Sequence, residues 1–208
     1  MNDHFGRFGS LAATLTGILS IVYAIFFLFI SRANEYVGIL GSWIVLGGTA
    51  FFALAAYVAL YQHVKTREPG YALFALLLSG MASFAMLQHG AFQAIDIFRR
   101  GALDSALGAP SQVDPAGLAT FGVVGISAFL WGWLIVRTNI FSRALGYVGM
   151  LNAALLITLF FATIVGSQPL VLLSGGLTSV IIGPVWWIWL GRVLASQRAA
   201  IVSEPALA

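Results

Sequence analysis

The chain contains no cysteine. That excludes disulfides, thiolate metal sites, iron–sulfur clusters and cysteine nucleophiles, though it fixes no compartment by itself. Charge is nearly as scarce: 10 Lys and Arg and 7 Asp and Glu stand among 208 residues. Soluble domains carry about a quarter charged residues, so water is not the solvent for most of this surface. The net charge of +3 includes no Lys/Arg cluster, which argues against a nucleic-acid partner.

Histidine is limited to His4, His63 and His89. A haem held by two imidazoles needs two His at matching depth, and a membrane metal site needs clustered His or carboxylates. Neither pattern is present, so no cofactor or metal is expected. The chain has no Gly-x-Ser-x-Gly and no phosphate-binding glycine loop. A rhomboid-type serine protease also has six spans, but it needs a Ser–His pair at depth. Spans four and six, defined below, hold no His.

Long apolar runs are abundant: 60% of the residues are hydrophobic. A bilayer core about 30 Å thick needs about 20 apolar residues per helical crossing. Six stretches qualify, at about 10–30, 38–61, 71–98, 116–136, 144–165 and 170–195. They are too long for transmembrane strands of about 10 residues. The expected fold is all-α: a polytopic bundle of six transmembrane helices forming one domain over 1–208, with the lipid bilayer as its main partner.

Lys and Arg set the orientation. One side holds Arg7, Lys65, Arg67, Arg137, Arg143, Arg192 and Arg198; the other holds Arg32, Arg99 and Arg100. The excess places both termini in the cytoplasm and the protein in a bacterial cytoplasmic membrane. Ser31-Arg32-Ala33 has the small residues of a signal-peptide cleavage site, but the preceding apolar run exceeds an h-region of about 7–15 residues. A retained first span is expected. Loop three is rich in turn formers (Gly101, Asp104, Gly108, Pro110, Asp114, Pro115), loop five is the tight turn Gly166-Ser167-Gln168-Pro169, and Ser203–Ala208 reads as a disordered tail.

Ser31-Arg32-Ala33-Asn34-Glu35-Tyr36-Val37-Gly38-Ile39-Leu40 repeats as Ser142-Arg143-Ala144-Leu145-Gly146-Tyr147-Val148-Gly149-Met150-Leu151. The copies are three spans apart and lie on opposite faces, which fits an inverted 3+3 repeat of the kind transporters use. The alternative is a shared way of starting a span, with an Arg anchor, a belt Tyr and a packing Gly.

Polar groups within the spans are costly in lipid and are therefore the candidate site residues. His89, Gln93, Asp96 and Arg100 are spaced four, three and four apart and share one face of span three. His89 lies about 27 Å along that span, so the set is either a cavity-facing cluster or an interfacial one. Asn152 sits about 12 Å into span five, where its amide can hold a ligand or bond a neighbouring helix. Thr178 and Ser179 precede Gly183-Pro184 in span six, where proline loosens the helix and the hydroxyls could line a cavity. Gly175/Ser179, Ala13/Gly17 and Ser79/Ser83 are small-xxx-small pairs that let helices pack closely. Trp131, Trp133, Trp186, Trp187 and Trp189 fall toward one end of their spans, as an aromatic belt would.

Arg7, the run Ser142–Gly149 and Gly183-Pro184-Val185-Trp186-Trp187-Ile188-Trp189-Leu190-Gly191 give the chain its nearest likeness. In these it resembles small bacterial six-helix integral membrane proteins of the domain-of-unknown-function type. The resemblance implies an integral membrane protein and supplies no catalytic residues. The function expected first is non-enzymatic: an accessory subunit joined to a membrane-protein partner or to a second copy, or a binder of an apolar or amphipathic molecule. A small-solute transporter and a lipid-modifying enzyme using His89 and Asp96 are the alternatives.

Overall fold

A computed structural model describes residues 3–101 and 115–203. Asp104, Gly108, Pro110 and Asp114 of loop three, and the tail beyond Ser203, lie outside the described residues. Six helical spans are long and apolar enough to cross a bilayer: His4–Ala33, Glu35–Val64, Pro69–Arg100, Thr120–Thr138, Arg143–Ile164 and Gln168–Ser196. Span one is α1 (Asp3–Ile25), a π-helical segment (Phe26–Ile30) and the short α2 (Ser31–Ala33). Spans two to five are α3 (Glu35–Val64), α4 (Pro69–Arg100), α5 (Pro115–Thr138) and α6 (Arg143–Ile164). Span six is α7 (Gln168–Gly176), a second π-helical segment (Leu177–Ile182) and α8 (Gly183–Ser203).

The punctuation is local chemistry. The Asn34 side chain accepts from the Val37 N–H at 3.1 Å and caps α3. The Ser142 hydroxyl accepts from the Leu145 N–H at 3.4 Å at the start of α6. Pro69 and Pro169 stand in the first turns of α4 and α7, where no backbone donor is required of them. Gly101 (φ 65°) ends α4 and Gly166 (φ 68°) turns the chain between spans five and six, both in the left-handed region that suits glycine.

The spans form a ring. Each packs on the next in sequence, and span six closes on span one through α8 and α1. The Ser10 hydroxyl donates to the Gly191 carbonyl at 2.9 Å, so the first turns of span one meet the last turns of span six. Both termini therefore lie on one side, called terminal here; the other side is distal. Small residues set the helix separations. A Cβ on Gly132 would stand 2.7 Å from the Gly146 carbonyl oxygen, and one on Gly90 would stand 2.6 Å from that of Trp43. With no water to expel, such close packing is what holds helices together in lipid.

Aromatic side chains from alternate spans fill the terminal half of the lumen. Tyr57 of span two stacks on Trp131 of span four, with centroids 5.9 Å apart, and meets Trp187 of span six edge-on at 5.1 Å. Trp186 and Trp187 are themselves 4.6 Å apart. Trp131 also donates to the Ser79 hydroxyl at 2.7 Å, and Ser79 shares a 2.8 Å hydrogen bond with Ser127. The belt expected from sequence is therefore reduced. Trp131, Trp186 and Trp187 are buried core residues. Trp133 takes the belt role beside Tyr71, and the Arg137 guanidinium lies 5.0 Å from its ring.

The decapeptide repeat does not carry structural symmetry. Ser142 caps a helix, whereas its counterpart Ser31 ends one and donates to the Phe27 carbonyl. Gly38 abuts Ser31, whereas Gly149 abuts the Trp186 indole. A twofold axis in the membrane plane would reverse the direction in which the helices follow one another around the bundle. In one ring visited in chain order, spans one to three and four to six circulate the same way. The ring has no such axis, and the inverted 3+3 arrangement loses its basis.

Candidate functional site

Above the aromatic plug the lumen opens into a cavity of about 110 Å³ to which all six spans contribute. Its floor is Tyr57 and Trp187. Its wall is mainly apolar, but Thr16, Ser20, Thr49, Ser83, Thr120, Asn152, Thr178 and Ser179 also border it. A second chamber of about 80 Å³ adjoins it distally across Tyr23, Phe121, Leu156, Thr178 and Ser179. That chamber is lined mainly by Phe27, Leu28, Leu159, Val171 and Leu172, with His89 as its one imidazole.

Three of the wall hydroxyls serve their own helices. Thr16 donates to the Ala12 carbonyl at 2.8 Å, Ser20 to that of Thr16 at 2.8 Å, and Thr49 to that of Val45 at 2.7 Å. Asn152 and Thr178 differ. Asn152 is 5% exposed, and neither its Oδ1 nor the Thr178 Oγ1 has a hydrogen-bond partner among the described residues. A buried polar atom without a partner costs about 1–3 kcal/mol; Asn152 and Thr178 each bring one to the border of this cavity, while His63 Nε2 and Trp186 Nε1 are unpartnered away from it among the described residues. Gly183 lies between Asn152 and Thr178: a Cβ placed on it would stand 3.4 Å from Asn152 Oδ1 and 2.4 Å from the Thr178 backbone carbonyl oxygen.

The second π-helical segment places Thr178 and Ser179 on this wall. Pro184 has no N–H to offer the carbonyl four residues earlier, and the Gly183 N–H reaches back five residues to Thr178. The widened turn is the helical form that recurs at functional sites. Gly175 and Ser179, expected as a packing pair, line the chambers instead; the nearest atom to a Cβ on Gly175 would be 3.8 Å away. Ala13 and Gly17 do pack tightly, with Gly17 against Ile188 and the Pro184 carbonyl. The second pair divides: Ser79 belongs to the plug network and Ser83 to the cavity wall.

The span-three quartet also divides. His89 and Gln93 are buried, and the His89 ring meets Trp43 edge-on at 4.6 Å. Asp96 pairs instead with Arg100 at 2.9 Å near the end of α4, with the Arg100 side chain 55% exposed. His89 borders the distal chamber and Asp96 does not, so the two do not share a cleft there. No group of three or more His, Cys, Asp or Glu able to hold a metal occurs among the described residues.

Spans one and six pack unevenly around the chambers. Their terminal halves are in extensive contact, α1 against α8, whereas α7 packs on α6. The distal chamber lies in that divergence, with Ala24, Phe27 and Leu28 on one side and Leu172, Gly175 and Gly176 on the other. Leu172 is at once a chamber wall and lipid-facing. Comparison with protein families, curated proteins and solved structures found no match.

Sequence reasoning singled out Asn152, Thr178, Ser179 and His89 as candidates, and each borders one of the chambers. It missed Tyr23, Phe121 and Leu156, which separate the two chambers. Helices in lipid are apolar all round, and nothing in the spacing of these three marks an inward face.

Proposed function

We propose that the protein lies in a cell membrane with both termini in the cytoplasm and binds a small amphipathic molecule at the centre of its ring of helices. The excess of Lys and Arg on the terminal side supports the orientation. The binding reading rests on one observation: Asn152 and Thr178, each with a buried side-chain oxygen that lacks a partner among the described residues, border a common cavity. The adjoining chamber suits the apolar part of such a molecule, and the divergence of α7 from span one provides a lateral path from lipid. Native mass spectrometry of the protein released from lipid nanodiscs should show a retained small molecule or saturable uptake of an added one. A protein that retains nothing and takes up no apolar or amphipathic probe would end this reading.

A transport role is the second reading, favoured by the π-helical turn that interrupts span six at the cavity. It requires the Tyr57–Trp131–Trp187 plug to open on the terminal side. Proteoliposome flux of any molecule found bound separates the two: a binder shows uptake to stoichiometry, a transporter continuous flux.

A further inference from the structure

We infer that the molecule accepted by this cavity is uncharged and carries a hydroxyl, which sits against Asn152 and Thr178 while its apolar body extends into the distal chamber. This rests on the binding reading above and narrows it to a ligand class.

The first argument is charge. Among the described residues, no Asp, Glu, Lys or Arg lines either chamber. An ionised ligand at this depth would have no counter-charge, and an unpaired buried charge is the costliest group to place in a membrane interior. The described wall therefore favours an uncharged ligand over a carboxylate or an ammonium group.

The second argument is the pairing of the two unsatisfied atoms. Asn152 Oδ1 is an acceptor and needs a donor, whereas the Thr178 hydroxyl can both donate and accept. A ligand hydroxyl has the chemistry for either, donating to Asn152 or accepting from Thr178. An ether oxygen can only accept, and a hydrocarbon satisfies neither. Thr16, Ser20 and Thr49 compete weakly, because each already donates to a carbonyl of its own helix.

The third argument is polarity along the axis. The polar atoms lie toward the plug and the apolar side chains Phe27, Leu159, Val171 and Leu172 lie distally, so an amphiphile has one favourable direction. Size is set by volume. A cavity of about 150 Å³ in another protein takes up benzene. The central cavity of about 110 Å³ with its neighbour of about 80 Å³ suits a single ring with a small substituent.

Fluorine NMR of the full chain in lipid nanodiscs tests this with three matched probes: 4-fluorophenol, 4-fluoroanisole and 4-fluorobenzoate. The phenol is expected to bind saturably and about tenfold more tightly than the anisole, with the benzoate not binding. Asn152→Leu, which keeps the side-chain bulk, should bring the phenol down to the affinity of the anisole without abolishing either. Thr178→Val, close in shape to the native residue, provides a second route to the same loss should Asn152→Leu fail to fold. Equal binding of phenol and anisole, or binding of the benzoate, would overturn the hydroxyl and charge assignments while leaving a ligand cavity in place. Absence of saturable binding by all three, with the wild type folded by circular dichroism, would overturn the cavity reading and this inference together.

Discussion

The terminal and distal halves of the ring are built by opposite rules. In the terminal half, alternate spans send Tyr57, Trp131 and Trp187 to the axis, and Leu60, Leu134, Ile135, Leu145 and Leu190 fill in around them with no more than 1% exposure each. In the distal half the helices pack on their neighbours but leave two chambers between them. Both π-helical segments border those chambers, through Phe27 and Leu28 in one and Thr178 and Ser179 in the other. The difference shows that one bundle can combine a filled end with a hollow one. Dispersion packing holds the terminal end, and the distal end keeps open volume between its helices.

That contrast can be broken, and the largest effect is expected in the plug. Trp131→Ala removes a fully buried ring and its hydrogen bond to Ser79. It should destabilise the protein by about 3 kcal/mol, the low end for such truncations because lipid already solvates the freed ring. Reversible unfolding in mixed micelles would measure it, and a loss below 1 kcal/mol would refute the plug as the stabilising half.

The helix seams give the next effect. Gly132→Ala drives a methyl onto the Gly146 carbonyl oxygen and should cost about 1–3 kcal/mol. Gly176→Ala, where nothing lies within 4 Å, should be neutral or stabilising by up to about 1 kcal/mol. Equal losses in the two variants would show the distal half to be as tightly packed as the terminal half.

A smaller effect of opposite sign is expected at the cavity. Asn152→Leu removes an unpaired buried carbonyl oxygen and should raise stability by about 1 kcal/mol in the absence of ligand. A clear loss in the same melt would mean that the amide holds the bundle together. Arg137→Ala should have the least effect. Arg137 bonds Glu68 at 2.7 Å, but the guanidinium side chain is 48% exposed. A loss under about 1 kcal/mol that shrinks with salt is expected.

Much of this was legible in the sequence, and the reasons differ from residue to residue. The spans were visible because a bilayer demands length, and Pro184 announced the loosened turn because a missing N–H has only local remedies. The helices nevertheless run past the apolar stretches, from Glu35 rather than 38 and to Arg100 rather than 98, because capping groups rather than hydropathy end them. Asn152 stood out because an amide at mid-depth is rare. The facing of Trp131, Trp186 and Trp187 was not legible, since an indole near a span end suits a belt and a plug equally and only the neighbouring helices decide. The decapeptide repeat misled for a related reason: identical residues at two helix starts meet different partners, Ser31 in one copy and Trp186 in the other.

The second π-helical segment has a consequence for how the chain tolerates change in length. Such a segment accommodates about one residue more than the α-helix it interrupts, and one residue corresponds to about 100° of rotation. Deleting one residue between 177 and 182 would remove that surplus and let the wide turn rewind as α-helix with its two flanks still in phase, whereas the same deletion inside α8 would swing the flanks apart by that angle. Leu172 and Gly175 should keep their places on the chamber wall after the first change and lose them after the second. Span six can thus shed a residue at its wide turn more safely than anywhere else along its length.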